Sequence, residues 1–264
     1  MEGRLSKIKT LGLAILIACA FGASARSEVV SVPAPASGVF GSSEPTQTFL
    51  WEGKDAKAVL IMIPGGEGHL GLTPAKKTIG GFYGGVLRPL ADPTMTSGHI
   101  HVVVFDSPDP LPVGNVYPTS RATQDHLDRI ESVVRFYRKK YGKPIWLMGH
   151  SNGAISVAEF VSRRASIVSG AILSSSRVGV QVSTSITIPI LFLHHKNDEC
   201  AKADPRTTVD VFETLRSSGK KNTTFVWIDG GTPEAKSPCA SGHHMYHGAG
   251  PEAFSAIDTF ISKY

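Results

Sequence analysis

The chain has 264 residues, of which 41% are hydrophobic and 19% are charged, and its mean hydropathy is zero. This composition excludes disordered and fibrous proteins. The formal net charge is +5, but the basic residues are scattered and no run of them pairs with stacking aromatics, so we expect no nucleic-acid partner. Three cysteines are too few for a disulfide-rich scaffold.

The first 25 residues predict a secretory signal peptide. Basic side chains come first, at Arg4, Lys7 and Lys9. An apolar run follows at residues 11–21, and a group of small residues ends at Ala25. We therefore expect cleavage after Ala25, a mature chain that forms a single domain over residues 26–264, and a periplasmic or secreted location.

Lipoprotein processing is an alternative for the same segment. Leu16-Ile17-Ala18-Cys19 also fits a lipoprotein cleavage box, which would leave a lipidated Cys19 at the N-terminus. The apolar run continues past Cys19, which favours the signal peptide. No other segment approaches the roughly 20 apolar residues that a membrane helix needs, so we expect no membrane span.

Two cysteines remain after the signal peptide is removed, Cys200 and Cys239. An even pair in an oxidising compartment predicts a disulfide, whereas two unrelated buried thiols are the alternative.

Six short apolar runs rich in β-branched residues alternate with segments of helical period. Each run is continuous rather than alternating, as strands covered on both faces require. The pattern predicts an α/β fold with a mostly parallel, doubly wound sheet flanked by helices. The predicted strands are Ala58–Ile63, His101–Phe105, Pro144–Met148, Ile167–Leu173, Ile188–His194 and Thr223–Ile228.

Apolar residues spaced three and four apart predict the helices. The glycine-rich segment Gly71–Gly98 is the least regular part, and we interpret it as a long loop with one helix rather than as a substrate lid. The segment Ser174–Thr187 is too short for a large cap domain. The predicted helices are Leu127–Tyr141, Ala154–Val161, Val209–Leu215 and Pro251–Ile261.

The strongest chemical signal is Gly149-His150-Ser151-Asn152-Gly153, a G-x-S-x-G sequence with a predicted strand before it and a predicted helix after it. This context is that of a nucleophile elbow, a sharp turn that places the serine hydroxyl above the sheet. The glycines remove side chains that would collide in the turn, and the helix N-terminus favours an oxyanion. We predict that Ser151 is a nucleophile; a glycine-rich loop with an incidental serine is the alternative.

A serine nucleophile requires a histidine base and a carboxylate, in the chain order serine, acid, histidine. Asp198 comes just after a later predicted strand and is the predicted acid. Asp106, at the end of an earlier strand, competes for this role. The base is expected in a loop before the last helix, where His243, His244 and His247 all lie.

An oxyanion hole requires backbone N–H donors from the residue after the nucleophile and from the loop after an early strand. Asn152 is the first predicted donor. Pro64–Gly68 follows an early strand, and within it Gly66 is the second predicted donor. A plain turn is the alternative; a phosphate-binding loop is not indicated, because no lysine followed by serine or threonine closes the motif.

The clustered histidines also resemble a metal site, since His243 and His247 are four residues apart, as on a zinc-binding helix. Gly248 and Gly250 argue against a helix there, and no glutamate between the histidines could act as a base. We therefore expect no metal and no other cofactor.

Four motifs of this sequence occur together in one family. They are Pro64–Gly68, Gly149–Gly153, His194–Cys200, and Cys239 with His243–Gly248. On these motifs the chain resembles the α/β-hydrolase superfamily, in particular small exported bacterial serine hydrolases of the dienelactone-hydrolase-like type, over nearly all of residues 58–264. The resemblance implies a domain without a large cap, and it implies that His244 is the base; His247 and His243 stay as alternatives.

The resemblance implies an exported serine hydrolase that needs no cofactor and cleaves a carboxylic ester, or a related acyl bond, of a small-molecule substrate. Ser151 would attack, His244 would carry the proton, Asp198 would orient the imidazolium, and the N–H groups of Gly66 and Asn152 would hold the oxyanion. A peptidase or acyltransferase with the same triad is an alternative, because pocket shape chooses the acceptor. A non-catalytic binding module on the same scaffold is another.

Overall fold

The computed structural model describes residues 26–35, 43–96, 98–113 and 119–264. The predicted signal peptide, with Cys19, lies outside the described residues. The strands are β1 (Ser27–Val32), β2 (Thr46–Trp51), β3 (Ala58–Ile63), β4 (Ile100–Asp106), β5 (Ile145–His150), β6 (Gly170–Ser174), β7 (Ile190–His195) and β8 (Thr223–Ile228). The helices are α1 (Arg88–Ala91), α2 (Gln124–Tyr141), α3 (Asn152–Arg164), α4 (Pro205–Ser217) and α5 (Gly250–Lys263).

The eight strands form a sheet in the order β1-β2-β4-β3-β5-β6-β7-β8. β2 is antiparallel to both of its neighbours. All other neighbouring pairs are parallel. This mostly parallel sheet confirms the predicted fold class, and it brings the carboxyl ends of β3, β5 and β7 to the same edge.

Helices cover both faces of the sheet, and two apolar cores result. The side chains of β3 alternate between them: Val59, Ile61 and Ile63 pack with α2, α3 and α4, whereas Leu60 and Met62 pack with α1 and α5. A strand whose two faces are both buried carries a continuous apolar run. This is why the buried strands could be predicted from composition alone.

β1 and β2 were not predicted, and their sequences explain why. β1 (SEVVSV) is a half-exposed edge strand with serines and a glutamate. In β2 (TQTFLW) the polar residues Thr46 and Thr48 are themselves buried. Neither strand contains the continuous apolar run that identifies the central strands. One predicted strand was also too long, because Ile167 ends a 3₁₀ turn and β6 begins only at Gly170.

The described part of Gly71–Gly98 contains a helical segment, as interpreted from the sequence. A π-helical turn, Tyr83–Leu87, continues directly into α1. Residues 175–189, between β6 and β7, contain no helix or strand, so the prediction that there is no large cap is confirmed. Within the described ranges, no helix combines the length and the apolar character needed to cross a membrane.

Candidate active site

Ser151 stands at the turn between β5 and α3, with a φ of 53° and a ψ of −121°. A non-glycine residue in this region is strained, and such strain concentrates at functional sites. The flanking glycines permit the turn. A Cβ at Gly149 would overlap the backbone of Gly153, and a Cβ at Gly153 would overlap the carbonyl oxygen of Ile63. The G-x-S-x-G sequence therefore forms the predicted sharp strand-to-helix turn.

Asp198, the predicted acid, lies in the loop after β7, and its side chain is completely buried. Its Oδ2 accepts hydrogen bonds from Nδ1 of His244 at 2.8 Å and Nε2 of His194 at 3.1 Å. Its Oδ1 accepts one from the backbone N–H of Cys200 at 2.9 Å. Burial raises the pKa of Asp198, but the hydrogen bonds from His194, His244 and Cys200 lower it by more, so the net pKa lies below its usual range.

His244 presents the arrangement that a general base requires. Because Nδ1 donates to the carboxylate of Asp198, the lone pair is on Nε2. This Nε2 is buried and has no hydrogen-bond partner among the described residues, so it is not bonded to Ser151. The base loop nevertheless lies against the elbow, since the ring of His150 is 5.0 Å from that of His244. Such catalytic hydrogen bonds often tighten only when substrate binds.

The competing candidates make other contacts. Nδ1 of His243 contacts the carbonyl oxygen of Asn197 at 3.0 Å and Oε1 of Glu199 at 2.7 Å. His247 is exposed. Asp106 accepts hydrogen bonds from two backbone N–H groups in the segment after β3. The part of the chain that the structure describes holds no group of three or more His, Cys, Asp or Glu side chains arranged to bind a metal ion.

The predicted oxyanion-hole loop packs directly on the nucleophile. A Cβ at Gly65 would lie 2.9 Å from the Cβ of Ser151. Gly66 has a φ of 53°, which glycine adopts without strain. Within the described ranges, the backbone N–H groups of Gly66 and Asn152 donate to no protein acceptor. The side-chain Nδ2 of Asn152 donates to the carbonyl oxygen of Gly66 at 3.0 Å, which links the two predicted donors.

The predicted disulfide between Cys200 and Cys239 is present. Cys200 follows Asp198 by two residues and Cys239 precedes His244 by five. The bond therefore joins the loop that carries the predicted acid to the loop that carries the predicted base.

No protein-family model matches the chain, and no curated protein matches it in sequence. Solved structures do match. A dienelactone hydrolase from Anabaena variabilis has a TM-score of 0.61 at 12% identity, covering 91% of this chain and 99% of that one. The chain has the α/β-hydrolase fold.

Two further α/β-hydrolase structures are similar. An α/β serine hydrolase without a lid from Xanthomonas campestris has a TM-score of 0.59 at 16% identity, covering 90% of this chain and 94% of that chain. Est1E from Butyrivibrio proteoclasticus, with ferulic acid bound, has a TM-score of 0.58 at 16% identity, covering 86% and 98%. These matches confirm the superfamily resemblance at the level of the fold.

A pocket of about 520 Å³ lies next to side chains that pack on His150 of the elbow, and its lining as described includes none of Ser151, His244, Gly66 and Asn152. Phe82 stacks on His150 with ring centroids 4.4 Å apart, and Sδ of Met245 lies 3.2 Å from Nε2 of His150. Among the described residues, no Asp, Glu, Lys or Arg lines the pocket. The lining residues are Gly80, Gly81, Phe82, Tyr83, Gly85, Val86, Ala240, Ser241, Met245, Tyr246, His247, Gly248, Gly250 and Pro251.

Two side chains at the site were not predicted. His194, the first histidine of the acid-loop motif, binds the Asp198 carboxylate. Arg121, in the turn before α2, binds the loop that carries Gly66. His194 could have been noticed because it lies within a motif, but nothing around Arg121 in the sequence indicates a site.

Proposed function

We propose that the protein is a serine hydrolase that cleaves a carboxylic ester, or a related acyl bond, through an acyl-enzyme. The observation that carries the proposal is the buried hydrogen bond between Asp198 and Nδ1 of His244, which leaves Nε2 free beside the strained elbow of Ser151. The backbone N–H groups of Gly66 and Asn152 next to the same serine, which donate to no acceptor among the described residues, support it.

The mechanism follows from these groups. The Ser151 oxygen attacks the carbonyl carbon while Nε2 of His244 takes the hydroxyl proton. The ionised Asp198 stabilises the imidazolium, and the N–H groups of Gly66 and Asn152 donate to the oxyanion of the tetrahedral intermediate. His244 then gives its proton to the departing alcohol, which leaves an acyl-Ser151. Water, deprotonated by His244, repeats the sequence and releases the acid.

The pocket indicates a substrate class. Because no Asp, Glu, Lys or Arg of the described residues lines it, we propose that this pocket takes an uncharged, apolar group of a small ester that reacts at Ser151. The bound ferulic acid in Est1E, and the name of the dienelactone hydrolase, are consistent with a carboxylic substrate. The disulfide is compatible with an exported protein, and we propose that the mature enzyme is residues 26–264, folded as a single domain.

The decisive experiment is Ser151→Ala in the mature protein, with Ser185→Ala, an exposed serine, as the matched control. We expect the wild type to hydrolyse p-nitrophenyl esters and to be labelled by a fluorophosphonate. Ser151→Ala should lose labelling and about four to six orders of magnitude of kcat, because the nucleophile is removed.

The control should keep both properties. Undiminished turnover in a folded Ser151→Ala protein would refute the triad. If the wild type cleaved aminoacyl amides but no ester or lactone, peptidase activity would replace esterase activity.

A further inference from the structure

Arg121 is buried behind the loop that carries Gly66, and it is only 1% exposed. Its Nη1 donates to the carbonyl oxygen of Pro64 at 2.8 Å and to Oγ of Ser156 at 3.2 Å. Its Nη2 donates to the carbonyl oxygens of Gly65 at 3.3 Å and Gly66 at 2.8 Å. One guanidinium therefore holds three successive carbonyl groups of the predicted oxyanion-hole loop.

This cation is costly for stability. Within the described residues, no carboxylate lies within 4.0 Å of the guanidinium, and its Nε is buried without a hydrogen-bond partner. Burial lowers the pKa of Arg121 to about 10, so the side chain is still charged at neutral pH. A buried charge that is not paired with an opposite charge destabilises a fold. The hydrogen bonds to the loop are therefore its principal favourable contacts.

These hydrogen bonds determine where the Gly66 N–H points. In a trans peptide, the carbonyl of Gly65 and the N–H of Gly66 belong to one plane and point in opposite directions. The Gly65 carbonyl is held by Arg121 and by the backbone N–H of Gly68 at 2.9 Å. Glycine has the widest backbone freedom of any residue, so the orientation of the Gly65–Gly66 peptide depends on these two restraints, and loss of Arg121 would leave only the Gly68 hydrogen bond.

A second set of hydrogen bonds extends the restraint to the other predicted donor. The Gly66 carbonyl accepts from Arg121 and also from Nδ2 of Asn152. Oδ1 of Asn152 in turn accepts from Nη1 of Arg177 at 3.3 Å. The chain Arg121–Gly66–Asn152–Arg177 thus connects both halves of the predicted oxyanion hole through polar contacts.

We propose that Arg121 is a positioning residue of the oxyanion hole, which acts together with the backbone hydrogen bond from Gly68. The inference rests on the proposed function. Arg121 touches no reacting atom; it acts by orienting the N–H of Gly66. An N–H aimed at the oxyanion contributes mainly in the transition state, so loss of its orientation lowers kcat and leaves KM nearly unchanged.

The test compares Arg121→Gln and Arg121→Lys with the same substitutions of Arg129. Arg129 is a matched control because it is also buried, at 3% exposure, and also donates to a backbone carbonyl, that of Glu44 rather than one of residues 64–66. Functional sites are counted by fluorophosphonate labelling of Ser151, so that kcat is expressed per labelled site. Affinity for an arylboronic acid, which forms a tetrahedral adduct with serine, reports on the oxyanion hole.

We expect Arg121→Gln to lower kcat per labelled site by about 10- to 100-fold, because removing an oxyanion donor outright costs about 10²- to 10³-fold. Affinity for the boronic acid should fall by a similar factor, with KM nearly unchanged. The kcat per labelled site of Arg121→Lys should lie between those of Arg121→Gln and the wild type. The lysine ammonium retains the charge but cannot bind three carbonyl groups as the planar guanidinium does. Both Arg129 variants should lower Tm without lowering kcat per labelled site.

The proposal is overturned if Arg121→Gln keeps its kcat per labelled site, if KM rises instead, or if the Arg129 variants lose kcat equally. Should Arg121→Gln not fold, Arg121→Lys decides by the same criteria, because it keeps the charge. Failure of the proposed function is distinguishable, since Ser151 would then not be labelled in the wild type.

Discussion

Asp198 accepts hydrogen bonds from two histidines, and their second nitrogens differ. Nε2 of His194 contacts two acceptors, Asp198 and the carbonyl oxygen of Ala203, so it carries the hydrogen. Its Nδ1 then accepts from Oγ1 of Thr208 at 3.1 Å. Both nitrogens of His194 are therefore engaged, whereas Nε2 of His244 is free. This difference, rather than proximity to the carboxylate, favours His244 as the base and gives His194 a role in holding Asp198.

Alanine substitutions of His243, His244 and His247 distinguish the three candidate bases. His244→Ala should lower kcat by about 10⁴-fold or more, as removal of a triad member does. His243→Ala and His247→Ala should keep most activity, because neither side chain contacts Asp198. The measurement is kcat/KM with p-nitrophenyl acetate, with circular dichroism to verify folding. If His247→Ala matched Ser151→Ala in severity and His244→Ala stayed active, the base would have to be reassigned.

At the scale of elements, the site is built where loops from separate strands meet. The loop after β7 carries Asp198, and the loop before α5 carries His244. The disulfide between Cys200 and Cys239 joins these two loops. The backbone N–H of Cys200 is itself a donor to Asp198, so movement of this cysteine would displace the proposed acid.

Replacing both cysteines, Cys200→Ser with Cys239→Ser, should therefore lower Tm and kcat together. The bond closes a loop with a sequence separation of 39, which stabilises a fold by roughly 4 kcal/mol in the chain-entropy model. Slight loosening of the loops would also misalign the proton transfer from Ser151 to His244. Calorimetry and steady-state kinetics measure the two effects. Two free thiols in the unreduced, denatured wild type would show that the bond does not form.

The π-helical turn Tyr83–Leu87 forms one wall of the pocket, and Gly85 offers a way to fill it. A Cβ at this position meets no atom within 4 Å, so a larger side chain can enter without a clash. Gly85→Leu should reduce kcat/KM for a hexanoyl ester relative to an acetyl ester by about tenfold or more. Each methylene group that an apolar pocket no longer accommodates lowers kcat/KM by about tenfold or more.

The control for the pocket is Thr259→Leu, which adds the same side chain at an exposed position of α5. It should leave the ratio of kcat/KM values unchanged. An unchanged ratio in Gly85→Leu would mean that the substrate does not use this pocket.

At the scale of the molecule, sequence patterns within short segments predicted the strands and the site residues that directly follow them. β3 was predicted to the residue, because its continuous apolar run encodes burial on both faces. The edge strand β8 was also predicted to the residue, because all six of its residues are β-branched or aromatic, although only the first and the last are buried. β1, the other edge strand, was not predicted, because serines and a glutamate interrupt its apolar residues. Ser151 and Asp198 could be chosen because each follows a recognisable strand.

Arg121 could not be predicted, since its partners at residues 64–66 lie more than fifty positions away in the chain. No periodicity or motif connects the two segments. The same holds for the partnership of His194 with Thr208, which depends on the packing of α4 beside β7. Contacts of this kind join segments that are distant in the sequence, so only the three-dimensional structure reveals them.

Removal of the predicted signal peptide would set the N-terminus of the mature chain. The first strand starts at Ser27, and the carbonyl oxygen of Arg26 already accepts a hydrogen bond from the N–H of Glu52 at 2.9 Å. Cleavage after Ala25 would leave this strand complete, and the disulfide requires an oxidising compartment. We therefore expect export and a mature N-terminus at Arg26, measured by intact mass and N-terminal sequencing.

Matched variants test the cleavage site. Ala25→Leu should block processing, because the A-x-A pattern requires a small residue immediately before the cut. Ser24→Leu changes the unconstrained middle position and should be processed normally. A product that begins at Cys19 and carries added acyl mass would establish lipoprotein processing instead. In that case seven extra residues, 19–25, would precede Arg26, and we expect the fold of the described domain to be unchanged.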